Sequence, residues 1–268
     1  MLQYSQIRSH SLIRSIRKFD VFMLKDQFII LAAGRGTRLN REDLPKVLVP
    51  FKGKPLIVHL LSQISKIAKN QKPVIVVGYL SEKIKESLGS RYEYALQDPQ
   101  LGTAHAVKAA KSKVNAENIL VLYGDMPFIT EAPLRKLIRM HHDANANISM
   151  FTAKVVNFEN KFVSLLHYGR IIRNFKNEII KITEFKDASE SEKQIMEINP
   201  GIYMFNAKWL WDNIKKIKNK NAQKEYYLTD IVEIAIAQKE IIHSLPIPPR
   251  EIIGINSIED LERAEKML

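Results

Sequence analysis

The chain has 268 residues, a formal net charge of +12, 46% apolar residues and no cysteine. Those figures suit one large α/β domain with a substantial core and exclude disulfides and thiolate metal ligands, which fits a reducing, cytoplasmic compartment. No apolar run is long enough to cross a bilayer, and the Lys and Arg are spread along the whole chain, often at i,i+3 or i,i+4 beside Glu, as in Glu82-Lys-Ile-Lys-Glu86, in the manner of solvated helix faces; no motif or interleaved aromatic patch for specific nucleic-acid binding is present.

The first 22 residues stand apart. Arg8, Arg14, Arg17 and Lys18 face a single acid, Asp20, with Ser5, Ser9, Ser11 and Ser15 between them. An Arg- and Ser-rich, acid-poor start is similar to an organellar transit peptide. It reads equally as sequence upstream of a true start at Met23, or as a disordered basic tail, and we favour these two. Residues 1–26 are expected to be a disordered extension.

The first strand is Phe28 to Leu31, four continuous apolar residues of the kind covered on both faces. It runs into the loop Ala32-Ala-Gly-Arg-Gly-Thr-Arg38, followed by Leu44-Pro-Lys46. Gly34 and Gly36 remove side chains where a ligand approaches the backbone. Successive exposed N–H groups make an anion-binding concavity, and Arg35, Arg38 and Lys46 add positive charge beside it. That is chemistry for a triphosphate. A plain tight turn with solvated arginines would not need Ala-Ala before it or Thr-Arg and Pro-Lys after it. A Walker loop would need Gly-Lys-Ser/Thr where this chain has Gly36-Thr37-Arg38, and a dinucleotide fingerprint would need glycine at Leu39.

Beyond the loop, strand and helix alternate. Pro55 stands at the start of a helix carrying Leu56, Leu60, Leu61, Ile64, Ile67 and Ala68. Pro73 to Val77 is a strand, Ser81 the cap of a helix to Leu88, and Tyr92 to Gln97 a strand. Gly102-Thr103 opens a helix through Ala110. Ile119 to Tyr123 is a buried strand ending at Gly124-Asp125, and Thr130 caps the helix of Leu134, Leu137 and Ile138. Residues from about 150 to 205 are richer in strand, with Ile148 to Val156, Gly169 to Arg173 and Gly201 to Phe205; the last helix is Ser257 to Leu268. Repeated strand–helix units imply a parallel sheet with helices on both faces and ligands at the carboxyl ends of its strands. Asp125 lies at such an end, where a Mg²⁺ bridging phosphate oxygens would need a carboxylate. Its other reading is a turn aspartate before Met126-Pro127. His141 and His142 are adjacent on a helix and point to different faces, so they do not share a metal. His59 and His105 fall in helical runs and read as packing residues.

The run Leu31-Ala-Ala-Gly-Arg-Gly-Thr-Arg38 with Leu44-Pro-Lys-Val47 resembles the signature of sugar-1-phosphate nucleotidyltransferases. Matching segments follow in order: Gln97, Leu101-Gly-Thr-Ala-His-Ala106, Tyr123-Gly-Asp125, Tyr168-Gly-Arg-Ile171, Glu184-Phe-Lys-Asp-Ala188, Glu197-Ile-Asn-Pro-Gly201, Asn221-Ala-Gln, Glu225-Tyr-Tyr-Leu-Thr-Asp230 and Gly254-Ile-Asn256. Within that family the chain is most similar to the uridyltransferase (pyrophosphorylase) half of the bifunctional bacterial N-acetylglucosamine-1-phosphate uridyltransferases, from about residue 27 to the C-terminus.

The resemblance implies one nucleotidyltransferase domain over residues 27–268. Its fold would be a Rossmann-like, mostly parallel sheet with helices on both faces and a β-rich sugar-binding portion. It implies Mg²⁺-dependent transfer from UTP to N-acetylglucosamine 1-phosphate. Leu31, Ala32, Ala33, Gly34, Gln97, Gly102 and Thr103 would meet the nucleotide, and Arg38 and Lys46 would grip the phosphates in catalysis. Tyr123, Gly124, Gly169, Glu184 and Asn199 would line the ribose or sugar, with Asp125 and Asn256 on the metal. Arg35 stands where the family has Lys, and His167 where a Gly commonly precedes Tyr-Gly-Arg-Ile. The stretch Phe162-Val-Ser-Leu-Leu166 lacks the family's turn, so the sugar is the open part of this reading. A uridylyl- or thymidylyltransferase for glucose 1-phosphate or another sugar is the alternative. A non-catalytic protein of the same fold would be expected to lose Asp125, Lys46 or Arg38, and all three are present. No hexapeptide repeats follow Asn256, so neither acetyl transfer nor a trimer built by an acetyltransferase half is expected; the oligomeric state is left open.

Overall fold

The computed structural model describes residues 25–39, 41, 43–69 and 71–267. Residues 1–24 of the expected extension lie outside them, and Asp26 already belongs to the first strand. In chain order come β1 (Asp26–Leu31), a short hairpin of β2 (Pro50–Phe51) and β3 (Lys54–Pro55), α1 (Leu56–Ile67), β4 (Val74–Val77), α2 (Ser81–Leu88) and β5 (Glu93–Leu96). Then follow α3 (Thr103–Ala109), β6 (Asn118–Tyr123), α4 (Glu131–Asp143), β7 (Ile148–Lys154), β8 (Gly169–Arg173) and β9 (Ile179–Thr183). The last third holds α5 (Glu190–Lys193), β10 (Glu197–Asn199), β11 (Tyr203–Asn206), α6 (Ala207–Asn213), α7 (Asp230–Ala237), β12 (Ile242–Pro246) and α8 (Ile258–Glu265).

One sheet runs through the molecule in the order β5-β4-β1-β6-β11-β7-β10-β8-β9, with β12 also paired to β7. The strands β5, β4, β1 and β6 are parallel, whereas β11 enters antiparallel between β6 and β7. From β7 through β10, β8 and β9 the pairing is antiparallel, which makes the β-rich portion expected of the second half.

The continuous apolar runs of the parallel strands follow from burial on both faces. Alternate residues go to opposite layers. Phe28, Ile30, Ile75, Val77, Leu120 and Leu122 pack with Leu60 and Ile64 of α1 and Leu134 and Ile138 of α4. Ile29, Leu31, Val74, Val76, Ile119 and Val121 pack with Val107 of α3, Leu210 of α6 and Ile231 of α7.

Two expected caps differ. Ser81 is the first residue of α2 rather than its cap, and Leu80 before it is left-handed, with φ of 51°. Thr130 holds the cap position of α4, but its hydroxyl and its N–H both donate to Glu251 Oε2, at 2.7 and 3.0 Å. A carboxylate distant in sequence outcompetes the local bond. No helix among the described residues is long and apolar enough to cross a membrane.

Candidate functional site

The loop after β1 is built around Lys46. Gly36 has φ of +65°, a conformation side chains resist, and a Cβ there would lie 2.5 Å from Lys46 Cβ. The glycine therefore lets the loop close over the lysine stem. Gly34 is exposed, and a Cβ added to it would meet nothing within 4 Å, so its backbone faces open space. Lys46 begins a 3₁₀ turn anchored by buried Val47 and Leu48.

The Lys46 ammonium reaches two oxygens from distant parts of the chain. It pairs with Asp125 Oδ2 and donates to Asn256 Oδ1 at 2.8 Å. Asp125 stands just past β6, whose following Gly124 N–H donates to Leu31 O at 3.0 Å. The Ile255 N–H donates to Asp125 O at 3.0 Å and brings the last segment alongside. Buried Asp260 then accepts from the N–H groups of Asn256 and Ser257, at 3.0 and 3.1 Å, and from Arg263 at 2.7 Å. Asn256 is thus held by its backbone and leaves its side chain for the site.

Next to this cluster opens a cavity of about 600 Å³. Leu31, Ala32, Ala33, Gly34, Gln97, Gly102 and Thr103 all line it, with Lys46, Tyr123 and Asp125. Buried Gln97 donates from Nε2 to Gly102 O at 2.9 Å. Gly102 has φ of +105°, and a Cβ there would press to 2.6 Å of Tyr226 O. Thr103 Oγ1 accepts from the Leu228 N–H at 2.9 Å. The wall is therefore rigid, fixed by segments far apart in sequence. Arg35 lines the same cavity, its guanidinium 5.7 Å from the centre of the Tyr79 ring.

Arg38 is exposed and lies elsewhere. It lines an adjoining depression of about 500 Å³ with His167, Tyr168 and Asn256, so Asn256 borders that depression while its side chain reaches Lys46. The Tyr168 hydroxyl donates to Ile252 O at 2.7 Å, and burial pushes it well above the ordinary phenol range.

Gly169, Glu184 and Asn199 lie on the antiparallel side of Tyr123. Burial, with Glu184 and Asp125 nearby, raises the Tyr123 phenol. Glu184 accepts from the Thr229 hydroxyl at 3.0 Å, and burial raises its carboxyl above the usual range. Asn199 Oδ1 accepts from the Gly201 N–H at 3.0 Å. A Cβ on Gly169 would lie 3.3 Å from Ile182 and 3.5 Å from Glu184 Oε2. Gly124 packs inward, a Cβ there meeting Val47 at 3.1 Å and Ile57 at 3.3 Å. Reading the sequence missed Glu225 and Gln100, which line the cavity, and Tyr227, whose buried hydroxyl has no hydrogen-bond partner among the described residues. Glu225 and Tyr227 stand inside the noted run Glu225–Asp230, which is the signal that could have found them.

A carboxylate and an amide oxygen converging on one ammonium form a hard donor set that suits Mg²⁺, which keeps waters and phosphate oxygens as its other ligands. Among the described residues no cluster of three or more His, Cys, Asp or Glu offers a rival metal site.

Comparison with known proteins places the chain in a family. The nucleotidyl transferase family model matches residues 27–246. The bifunctional protein GlmU of Geobacillus thermodenitrificans is 43% identical over 249 residues, covering 92% of this chain and 52% of that one. Its namesake in Bacillus cytotoxicus is 42% identical over 243 residues, covering 90% and 51%. The chain spans about half the length of the curated relatives it matches. A solved structure from Bacillus anthracis, a proposed glucose-1-phosphate thymidylyltransferase, superposes with a TM-score of 0.72 at 22% identity over 90% of this chain and 94% of that one. That likeness concerns the fold alone.

Proposed function

The chain belongs to the nucleotidyl transferase family, and on that premise we propose that it transfers a uridylyl group from UTP to N-acetylglucosamine 1-phosphate and releases pyrophosphate. The observation that carries the reading is the convergence of Lys46, Asp125 and Asn256 at one end of a nucleotide-sized cavity floored by a glycine loop. The matches to GlmU proteins and the ordered motifs favour uridine and the N-acetyl sugar over the alternatives.

In this reading the backbone from Leu31 to Gly34 meets the nucleotide, and Gln97, Gly102 and Thr103 meet the uracil edge. A base that leaves such buried polar groups unpaired is rejected. Asp125 and Asn256 would hold Mg²⁺, which would supply charge neutralisation to the phosphates. Lys46 and Arg38 supply further positive charge, Lys46 from within the cavity and Arg38 from the adjoining depression. Tyr123, Gly124, Gly169, Glu184 and Asn199 line the sugar side, and the unpaired Tyr227 hydroxyl adds a donor near Glu184. Catalysis then comes from holding the sugar phosphate oxygen in line with the α-phosphorus and from fixed charge. No covalent enzyme intermediate is needed.

The test is pyrophosphate release from UTP with N-acetylglucosamine 1-phosphate, with and without Mg²⁺, beside glucose 1-phosphate and the other nucleoside triphosphates. Mg²⁺-dependent release that prefers UTP and the N-acetyl sugar is expected. Release with another pair would keep the reaction class and replace the substrate; none with any pair would overturn the enzyme reading.

A further inference from the structure

The helix that walls the nucleotide cavity has a second face. α3 presents Thr103 and Ala106 to that cavity, and Ala104, His105 and Lys108 to a separate concavity of about 510 Å³. The floor of this second pocket is apolar, with Ile214 and Ile217, and its rim carries Lys108, Lys215, Lys218 and Lys220. All four lysines are exposed, none forms an ion pair among the described residues, and no acidic residue lines the pocket. The lysines at 215, 216, 218, 220 and 224 follow one another with no acid between Asp212 and Glu225.

Here several like charges are held around one hollow, and their mutual repulsion is relieved by a multivalent anion. The concave shape and apolar floor suit a small molecule, and the volume falls in the range of ligand sites. An extended polyanion would need a longer, more open track. We propose that this pocket is a second ligand site, taking a small molecule that carries two or more phosphate groups on an apolar or aromatic body.

The pocket is also wired to the first cavity. His105 Nδ1 lies 3.3 Å from Gln97 Nε2. The Tyr226 N–H donates to Leu101 O at 2.8 Å, and Tyr226 O accepts from the Ala104 N–H at 2.9 Å. An occupant touching His105 or Tyr226 therefore bears on the groups that shape the wall at Gln97 and Gly102. Binding at one site must alter affinity at the other by the same factor in both directions. The pocket is independent of the reaction proposed above; only its coupling to uridine binding rests on that reading.

Calorimetric titration with inorganic tripolyphosphate, without Mg²⁺, tests this. The wild-type chain is expected to show two binding sites. Lys46→Ala should remove the one in the nucleotide cavity, and Lys218→Glu with Lys220→Glu should weaken the other roughly ten-fold or more. That double variant changes exposed side chains only, and it should melt like the wild type and keep its pyrophosphate-releasing activity without tripolyphosphate. Lys218→Arg with Lys220→Arg should restore binding. Unchanged titration of the Glu double variant would overturn the proposal. Tighter binding of a short single-stranded RNA, lost in that variant, would overturn it in favour of a nucleic-acid surface. Two sites persisting in Lys46→Ala would count against the phosphate role of Lys46 while leaving the second pocket intact.

Discussion

The two ends of the β1–β6 pair treat their polar groups in opposite ways. At the amino end Asp26 stands opposite Asn118 in register. Asn118 Nδ2 donates to Asp26 Oδ1 at 3.1 Å, and His142 Nε2 lies 2.8 and 2.9 Å from the two Asp26 oxygens. His141 fits between Ser149 Oγ at 2.9 Å and Asn118 Oδ1 at 3.3 Å, and burial holds its ring down to about 3, so it is neutral at any physiological pH. Each of these groups is closed on a neighbour. At the carboxyl end Leu31 stands opposite Tyr123. Beyond them the loop, Lys46 and Asp125 face a cavity. Both ends carry an aspartate beside an apolar strand, and their difference lies in whether the partners leave room for a ligand. Closure identifies a structural network and openness a working one.

The sharpest way to break this comparison is to remove each aspartate in turn. Asp125→Ala should lower the rate of pyrophosphate release by ~10²–10³-fold, the scale of one lost electrostatic stabiliser, and leave the melting temperature near that of the wild type. Near-normal Mg²⁺-dependent turnover would sink the role given to Asp125. Asp26→Ala should do the reverse. It removes the carboxylate bonded to His142 and to the buried Asn118 amide and should cost about 2–3 kcal/mol of stability in urea unfolding, with kcat of the folded enzyme little changed. A large kcat loss without destabilisation would make the amino end a functional site.

A third test sharpens the contrast within the open side. Burial, then Glu233, Glu184 and Asp187, push the Asp230 carboxyl up to about 6 from an ordinary 3.8. The folded state therefore holds that proton more tightly than the unfolded chain does. Its stabilising contribution is complete below about pH 4 and is lost as pH rises toward 6. Asp230→Asn should remove that slope, so that its melting temperature, relative to wild type, rises by a few degrees across this window; an unchanged slope would show that the carboxyl is well solvated. The smallest effect belongs to Ser257→Ala, which deletes the side-chain half of the capping box on α8 and should cost about 1 kcal/mol. Asn256 is still held through Asp260, so activity should fall less than stability.

How much of this was legible in the sequence depended on burial and on distance along the chain. Phe28 to Leu31, Pro73 to Val77 and Ile119 to Tyr123 announce themselves because both faces of those strands are covered. β9, β10 and β12 were not foreseen: they are short, and β9 and β12 expose part of their length, so neither a continuous run nor a clean alternation marks them. The glycine loop could be read from residues alone as strand-end chemistry, whereas Asp125 reads equally as a turn aspartate until the family resemblance favours a metal. Asn256 could not, since its approach depends on the Ile255–Asp125 backbone bond and on Asp260, contacts with no local signature. The wall at Gly102 is likewise set by Tyr226, over a hundred residues away.

The length of β1 sets how far its two ends can feel each other. Its six residues span roughly 17 Å at ~3.3 Å per residue. At an effective dielectric of about 20, a lone charge at that range would still be worth about 1 kcal/mol to a phosphate at the other end. Burial raises the Asp26 carboxyl, whose oxygens are covered by His142 and Asn118, and it leaves His141 uncharged. Both effects lower the charge kept at the far end of the strand, so the potential met by an incoming anion is set chiefly by the lysine and arginines around the loop.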